Sequence, residues 1–245
     1  MLDLPIEDLI SVLFIMIAIL LTCIIGVKSF KSYRATKVTL TMLIAVSSLF
    51  VASAMTFLTI EKASFTETLL NTELGLICGS IAIVVSGAGV LVYCIFAYEM
   101  AFPKRTKILG ILSAIPIILY LGFWFLTKKL SAPPPPYEII FNPLFGIDQF
   151  TPLLSYFTLV PLFSVPIIVL FYYAIKVRKE RGLKSKRALG LGIGGLALAT
   201  AYIVEIIGLD PTLLLNIIII LVSRSFFVIS GAFFYWALFR LKSNE

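Results

Sequence analysis

The chain has 245 residues, of which 60% are hydrophobic and 13% charged. A single water-soluble core cannot enclose so much apolar surface, and the apolar residues run in stretches of about 20, the length that crosses a hydrocarbon layer of about 30 Å. The net charge is +7 and histidine is absent, which removes histidine-ligated haem, imidazole zinc sites, histidine-based catalytic dyads and phosphohistidine relays from this chain.

The first apolar run, 9–27, follows a segment that holds Asp3, Glu7 and Asp8 and no basic side chain. It lacks the positive start of a cleavable leader and is expected to persist as a helix. Further runs at 38–60, 74–100, 108–126, 152–175, 188–208 and 212–239 complete seven expected spans. Loop 28–37 carries Lys28, Lys31, Arg34 and Lys37, loop 101–107 carries Lys104, Arg105 and Lys107, and loop 176–187 carries seven more cations. With Arg240 and Lys242, 16 of the 20 basic residues fall on one side. Asp3, Glu7, Asp8, Glu61, Glu67, Glu73, Glu138, Asp148 and Asp210 fall on the other. The positive-inside bias makes the first side cytoplasmic. The expected fold is therefore all-α: one domain over 1–245, an integral bundle of seven transmembrane helices in the cell membrane, N-terminus outside and C-terminus inside. The net charge is read as loop charge that orients the chain in its bilayer, and no nucleic-acid partner is expected.

Tyr120 and Trp124 are expected at the outer interface, and Tyr172, Tyr173, Tyr235 and Trp236 at the inner one. Loop 127–151 contains the stiff run Pro133–Pro136, which suits a lid or a plain spacer. Pro161 and Pro166 inside the fifth span are expected to bend it. The third span aligns Gly75, Gly79, Ala82 and Ser86 on one face, and the sixth aligns Gly190, Gly194, Ala197 and Ala201. Small residues at such spacing let helices approach closely, mainly within the bundle and secondarily between two copies. Cys23, Cys78 and Cys94 lie in apolar runs without a CxxC spacing and read as buried small residues.

The charges inside the spans single out a candidate site. Arg224 lies near the middle of the seventh span, where even the mildest scale charges about 2.5–3.5 kcal/mol for arginine. Its guanidinium cannot shed its proton, so it needs polar partners or a bound anion. Glu205 on the sixth span is the candidate counter-ion, at a depth that calls for snorkelling or bridging water. Asn216 and Ser223 share the polar face of Arg224, together with Phe227, Ser230, Gly231 and Tyr235, and Tyr202 shares the face of Glu205. The opposite face of the seventh span, Leu214, Ile218, Leu221, Val222, Ile229, Phe233 and Trp236, is assigned to lipid.

Seven helices in this orientation resemble the architecture of rhodopsins, G-protein-coupled receptors and the seven-helix sensor region at the N-terminus of some prokaryotic histidine kinases. No lysine lies within a span to carry a retinal Schiff base. Tyr98-Glu99-Met100-Ala101 stands where animal receptors have Asp/Glu-Arg-Tyr, and the seventh span lacks Asn-Pro-x-x-Tyr. The kinase sensor region is the nearest in topology and length. The resemblance implies a non-enzymatic receptor or sensor-like module acting through its basic cytoplasmic loop. Because only six residues follow the last expected span, its output is expected to need a partner protein at loop 176–187. A small transporter or channel-like protein with a polar path at Arg224 and Glu205 is the alternative, and a structural subunit of a larger membrane complex a third. The expected partners are the lipid bilayer, a small anionic or lipid ligand beside Arg224, a cytoplasmic protein and a second copy of the chain. No cofactor or metal is expected.

Overall fold

A computed structural model describes residues 6–64, 72–130, 150–179, 182–207 and 214–241. Over these residues the chain is helical without strands, in seven α-helices: α1 Ile6–Thr36, α2 Thr39–Ser64, α3 Thr72–Ala101, α4 Thr106–Leu130, α5 Phe150–Lys176, α6 Gly182–Ile207 and α7 Leu214–Tyr235. One turn of π-helix, Trp236–Arg240, continues α7. The seven helices match the seven apolar runs of the sequence in order. Five carry an apolar stretch long enough to cross a membrane, namely Val12–Thr36, Thr39–Ile60, Glu73–Ala101, Gly182–Val204 and Ile217–Arg240. Shorter apolar stretches, Thr106–Leu119 and Leu162–Lys176, come from α4 and α5 among the described residues.

Where the structure departs from the sequence reading is at the helix ends. Lys28, Lys31 and Arg34 were expected in a loop but ride on the last turns of α1, and Lys184, Lys186 and Arg187 ride on the first turns of α6. Hydropathy marks where a helix leaves apolar surroundings. Its backbone hydrogen bonds do not end there, and lysine and arginine are good helix formers. What stops α1 is Lys37, whose φ of 56° is left-handed and whose N–H donates to the Tyr33 carbonyl at 2.7 Å, the αL closure of a helix C-terminus. Only Lys37 and Val38 then separate α1 from α2, so the two must run antiparallel. At the other basic turn, the Ser185 hydroxyl donates to the Ala174 carbonyl at 2.7 Å and ties the start of α6 to the end of α5. Pro116 lies within α4, which continues through it.

Each helix packs against its neighbours in sequence, and α7 packs back on α1, closing a ring; α3 also packs on α5. Three apolar clusters fill the ring. One joins Val90, Cys94 and Tyr98 of α3 to Ile117 of α4, Phe163 and Ile167 of α5 and Ala199 of α6. A second joins Ile44, Phe96, Leu170, Leu191 and Ala237. The third joins Ala18, Met55, Ala201 and Phe227.

Polarity is inverted relative to a water-soluble protein. Ser29, Ser47, Ser86, Ser113, Ser223 and Ser230 are buried, while Ile111, Ile118, Ile168 and Leu215 stand on the outside and Ile175 is 75% exposed. An apolar exterior around buried hydroxyls belongs to a membrane protein.

The small-residue faces pack within the bundle. A Cβ added at Gly190 would sit 2.9 Å from the Ala237 Cβ, and one at Gly194 would sit 3.2 Å from a Phe234 ring carbon, so α6 lies directly on α7 and its π turn. Gly75, Gly79, Ala82 and Ser86 of α3 are all buried. The two-faced reading of α7 holds in part over its described side chains: Ser223, Phe227, Ser230 and Gly231 are buried and Ile218, Val222, Ile229 and Trp236 are exposed, whereas Arg224 and Tyr235 on the one face and Leu221 and Phe233 on the other are half-buried. The Phe233 Cβ would lie 3.3 Å from a Cβ at Gly194, so it sits at the edge facing α6.

Candidate functional site

Four polar contacts between helices converge on α3. The Ser47 hydroxyl of α2 donates to the Gly89 carbonyl at 3.0 Å. The Tyr93 hydroxyl donates to the Leu191 carbonyl of α6 at 3.0 Å. The Cys94 thiol points at the Leu162 carbonyl of α5 at 3.8 Å, and the Tyr98 hydroxyl meets that of Ser113 on α4 at 2.7 Å. One helix is thereby joined to four others.

Glycines make two of these contacts possible. At Gly89 a Cβ would lie 3.1 Å from the Phe50 Cβ, so α2 and α3 can close far enough for Ser47 to reach the backbone. At Gly195 a Cβ would lie 2.9 Å from the Tyr93 hydroxyl oxygen. Its absence leaves the gap through which the phenol reaches Leu191, one turn earlier on α6. The Tyr93 ring is held by Phe234 of α7, edge-on with centroids 5.7 Å apart, and by Phe96, stacked at 6.1 Å.

Beside this contact lies a cavity of about 50 Å³, lined by Ser47 and Ser48 of α2, Gly89 and Tyr93 of α3, Gly195 of α6, Ser230 of α7 and apolar side chains including Ile25, Phe163, Ile167 and Phe234. A water needs about 10–15 Å³ on this measure, so there is room for a few. Three serines and a tyrosine are among its lining residues, with no carboxylate or amine side chain in the lining. Such a site can hydrogen-bond water or the polar end of a small neutral molecule. Among the described residues no group of three or more His, Cys, Asp or Glu side chains is placed to hold a metal.

Compared with family models, curated proteins and solved structures, the chain has no match.

The residues singled out from the sequence whose side chains are described lie away from this cavity. Ser223 is 2% exposed, and its hydroxyl donates to the Ile220 carbonyl of its own helix at 2.8 Å. Tyr202 is half-buried against Phe163, with ring centroids 5.3 Å apart, and so bridges α6 to α5. Arg224 is half-buried and makes a non-covalent contact. Glu205 and Asn216 lie on α6 and α7, but their side chains are outside the described residues, as is the Pro133–Pro136 segment. Tyr202, Ser223 and Arg224 do not line the cavity; Ser230, which does, is six residues beyond Arg224, about 9 Å along the helix.

Among the cavity's hydroxyl residues, Ser230 falls on the expected polar face of α7, whereas Ser47, Ser48 and Tyr93 have no such signal in the sequence. Ser47-Ser48 and Tyr93 stand within otherwise apolar stretches, as Arg224 does, but carry no charge to attract notice. Their hydroxyls matter once the bundle brings them to one place, opposite a glycine that no linear pattern links to Tyr93.

Proposed function

We propose that this chain is a seven-span membrane protein, N-terminus outside and basic end in the cytoplasm, working as a non-enzymatic receptor or sensor-like module. The orientation is supported by the gathering of basic helix ends. Lys28 of α1 meets Tyr235 of α7 at 2.8 Å, Arg187 of α6 donates to the Leu241 carbonyl at 2.9 Å, and Ser185 reaches Ala174. The ends of α1, α5 and α7 and the start of α6 thus share one side, and the positive-inside bias assigns that side to the cytoplasm.

The observation that carries the sensor reading is the convergence of interhelical polar contacts on α3 beside a small cavity. In an apolar bundle such contacts are few and specific. A helix joined to four others can carry a change at one of them to the rest, and unfilled volume beside it lowers the cost of repacking. A cavity of about 50 Å³ suits such a joint better than a solute path. The likeness in topology to the seven-helix sensor region of histidine kinases points the same way, with a partner protein at the α5–α6 turn receiving the output.

Spin labels at Lys104 and Lys179, on the α3–α4 and α5–α6 turns, test this in lipid nanodiscs. A sensor module should show two label distances, with their populations shifted by Tyr93→Phe. A single distance that ignores the substitution would mark a static structural subunit. Cysteines at Ser47 and Ser230 reactive from both sides of the membrane would mark a transporter.

A further inference from the structure

We infer that Lys28, Tyr235 and Arg240 form a binding site for the phosphate headgroup of an anionic phospholipid, at the basic end of the seam between α1 and α7. The inference rests on the membrane-spanning reading.

The Lys28 ammonium donates to the Tyr235 hydroxyl oxygen at 2.8 Å. It stands 4.7 Å from the centroid of the Tyr235 ring and 5.6 Å from that of Phe239. The Arg240 guanidinium acts on the same phenol. Lys28 thus spends one donor on a neutral phenol oxygen, Arg240 lies near enough to act on the same group, and among the described residues none of these contacts is with a carboxylate. An ammonium has three donors and a guanidinium five. One phenol oxygen satisfies few of them, and the phenol keeps its own O–H to give. A phosphodiester accepts from all three groups and neutralises the local charge. The π turn Trp236–Arg240 contributes to the arrangement: Phe239 packs on Tyr235 with ring centroids 5.4 Å apart and Arg240 follows it on the same turn, and such turns recur at functional sites.

A lipid, as distinct from a free phosphate, is favoured by what adjoins the cations. Met16, Leu20, Ile24 and Lys28 follow one another at steps of four on α1 and share one stripe of its surface. Leu20 is 58% exposed and Ile24 44%. The stripe therefore runs from outward-facing apolar side chains directly into the cation pair. That order, acyl surface and then cations, matches a phospholipid lying along the helix with its headgroup at the membrane edge. Lys28 and Arg240 are themselves exposed and open to such a headgroup.

The test uses the full chain purified in a neutral detergent, with thermal unfolding followed as dioleoyl phosphatidylglycerol, dioleoyl phosphatidylcholine or inorganic phosphate is added. Phosphatidylglycerol should raise Tm with saturation, and the other two should not. Lys28→Gln and Arg240→Gln should each weaken the apparent affinity about fivefold, Lys28→Arg should retain it, and Lys179→Gln, a cation at the same end but away from this seam, should leave it unchanged. If Lys28→Gln does not fold, Arg240→Gln and Tyr235→Phe carry the comparison. Equal weakening by Lys179→Gln would reduce the effect to diffuse charge and overturn the site. Stabilisation by inorganic phosphate alone would overturn the lipid. Alkaline carbonate extraction separates the two levels: a chain that leaves the membrane fraction sinks the spanning reading itself, whereas one that stays but ignores phosphatidylglycerol sinks only this inference.

Discussion

The Tyr93 hydroxyl and Gly195 occupy complementary places: the phenol oxygen sits 2.9 Å from where a Gly195 Cβ would be and 3.0 Å from the Leu191 carbonyl it bonds. Phenol and β-carbon cannot both be accommodated without a shift. Gly195→Ala should displace the phenol and leave a buried hydroxyl unpaired, lowering stability by about 1–3 kcal/mol. Tyr93→Phe removes the hydroxyl altogether and should cost about 0.5–1.5 kcal/mol. The two changes act on one contact, so Gly195→Ala should cost less in the Tyr93→Phe background. Unfolding in mixed detergent measures all four corners of the cycle; strict additivity would show that the contact does not hold α3 to α6.

Glycines on the outside and inside of the bundle should behave oppositely. A Cβ at Gly190 meets Ala237 at 2.9 Å and Trp236 at 3.0 Å, whereas one at Gly122 meets nothing within 4 Å. Gly190→Ala should destabilise by about 1–3 kcal/mol through overpacking. Gly122→Ala should be neutral or stabilising by up to about 1 kcal/mol, because alanine is the better helix former. Thermal stability of the two purified variants decides it, and a tolerant Gly190 would mean that α6 and the π turn stand farther apart.

Ser185 bonds the Ala174 carbonyl across the α5–α6 turn at 2.7 Å. Ser185→Ala should cost about 0.5–1.5 kcal/mol and speed hydrogen exchange in the last turn of α5. Exchange confined to the first turn of α6 would assign the hydroxyl a purely local role.

The orientation has its own check. With Cys23, Cys78 and Cys94 replaced by alanine, a cysteine at Lys184 should resist an impermeant thiol reagent in intact cells, and one at Glu73 should react. The reverse pattern would invert the molecule in its membrane.

Seven helices, their order and an apolar exterior were legible in the sequence because hydropathy and loop charge are properties of consecutive residues. So was the polar side of α7, since helical periodicity alone puts Ser223, Phe227 and Ser230 together. The helix ends were less legible: Lys28 and Arg187 look like loop residues by charge, but hydrogen bonding carries the helices past the apolar stretch. Arg224 drew notice because a charge in an apolar run is visible in one dimension, whereas the hydroxyls of Ser47, Tyr93 and Ser230 are individually ordinary. Their meeting depends on α2 packing against α3, on the ring that closes α7 onto α1, and on Gly195 leaving space across from Tyr93. Likewise Lys28 lies 207 residues from Tyr235. Sequence alone thus determined what kind of surface each helix presents, because that follows from local composition and a fixed 3.6-residue period. Only the tertiary structure decided which surfaces meet, because close packing depends on the shape of both partners at once.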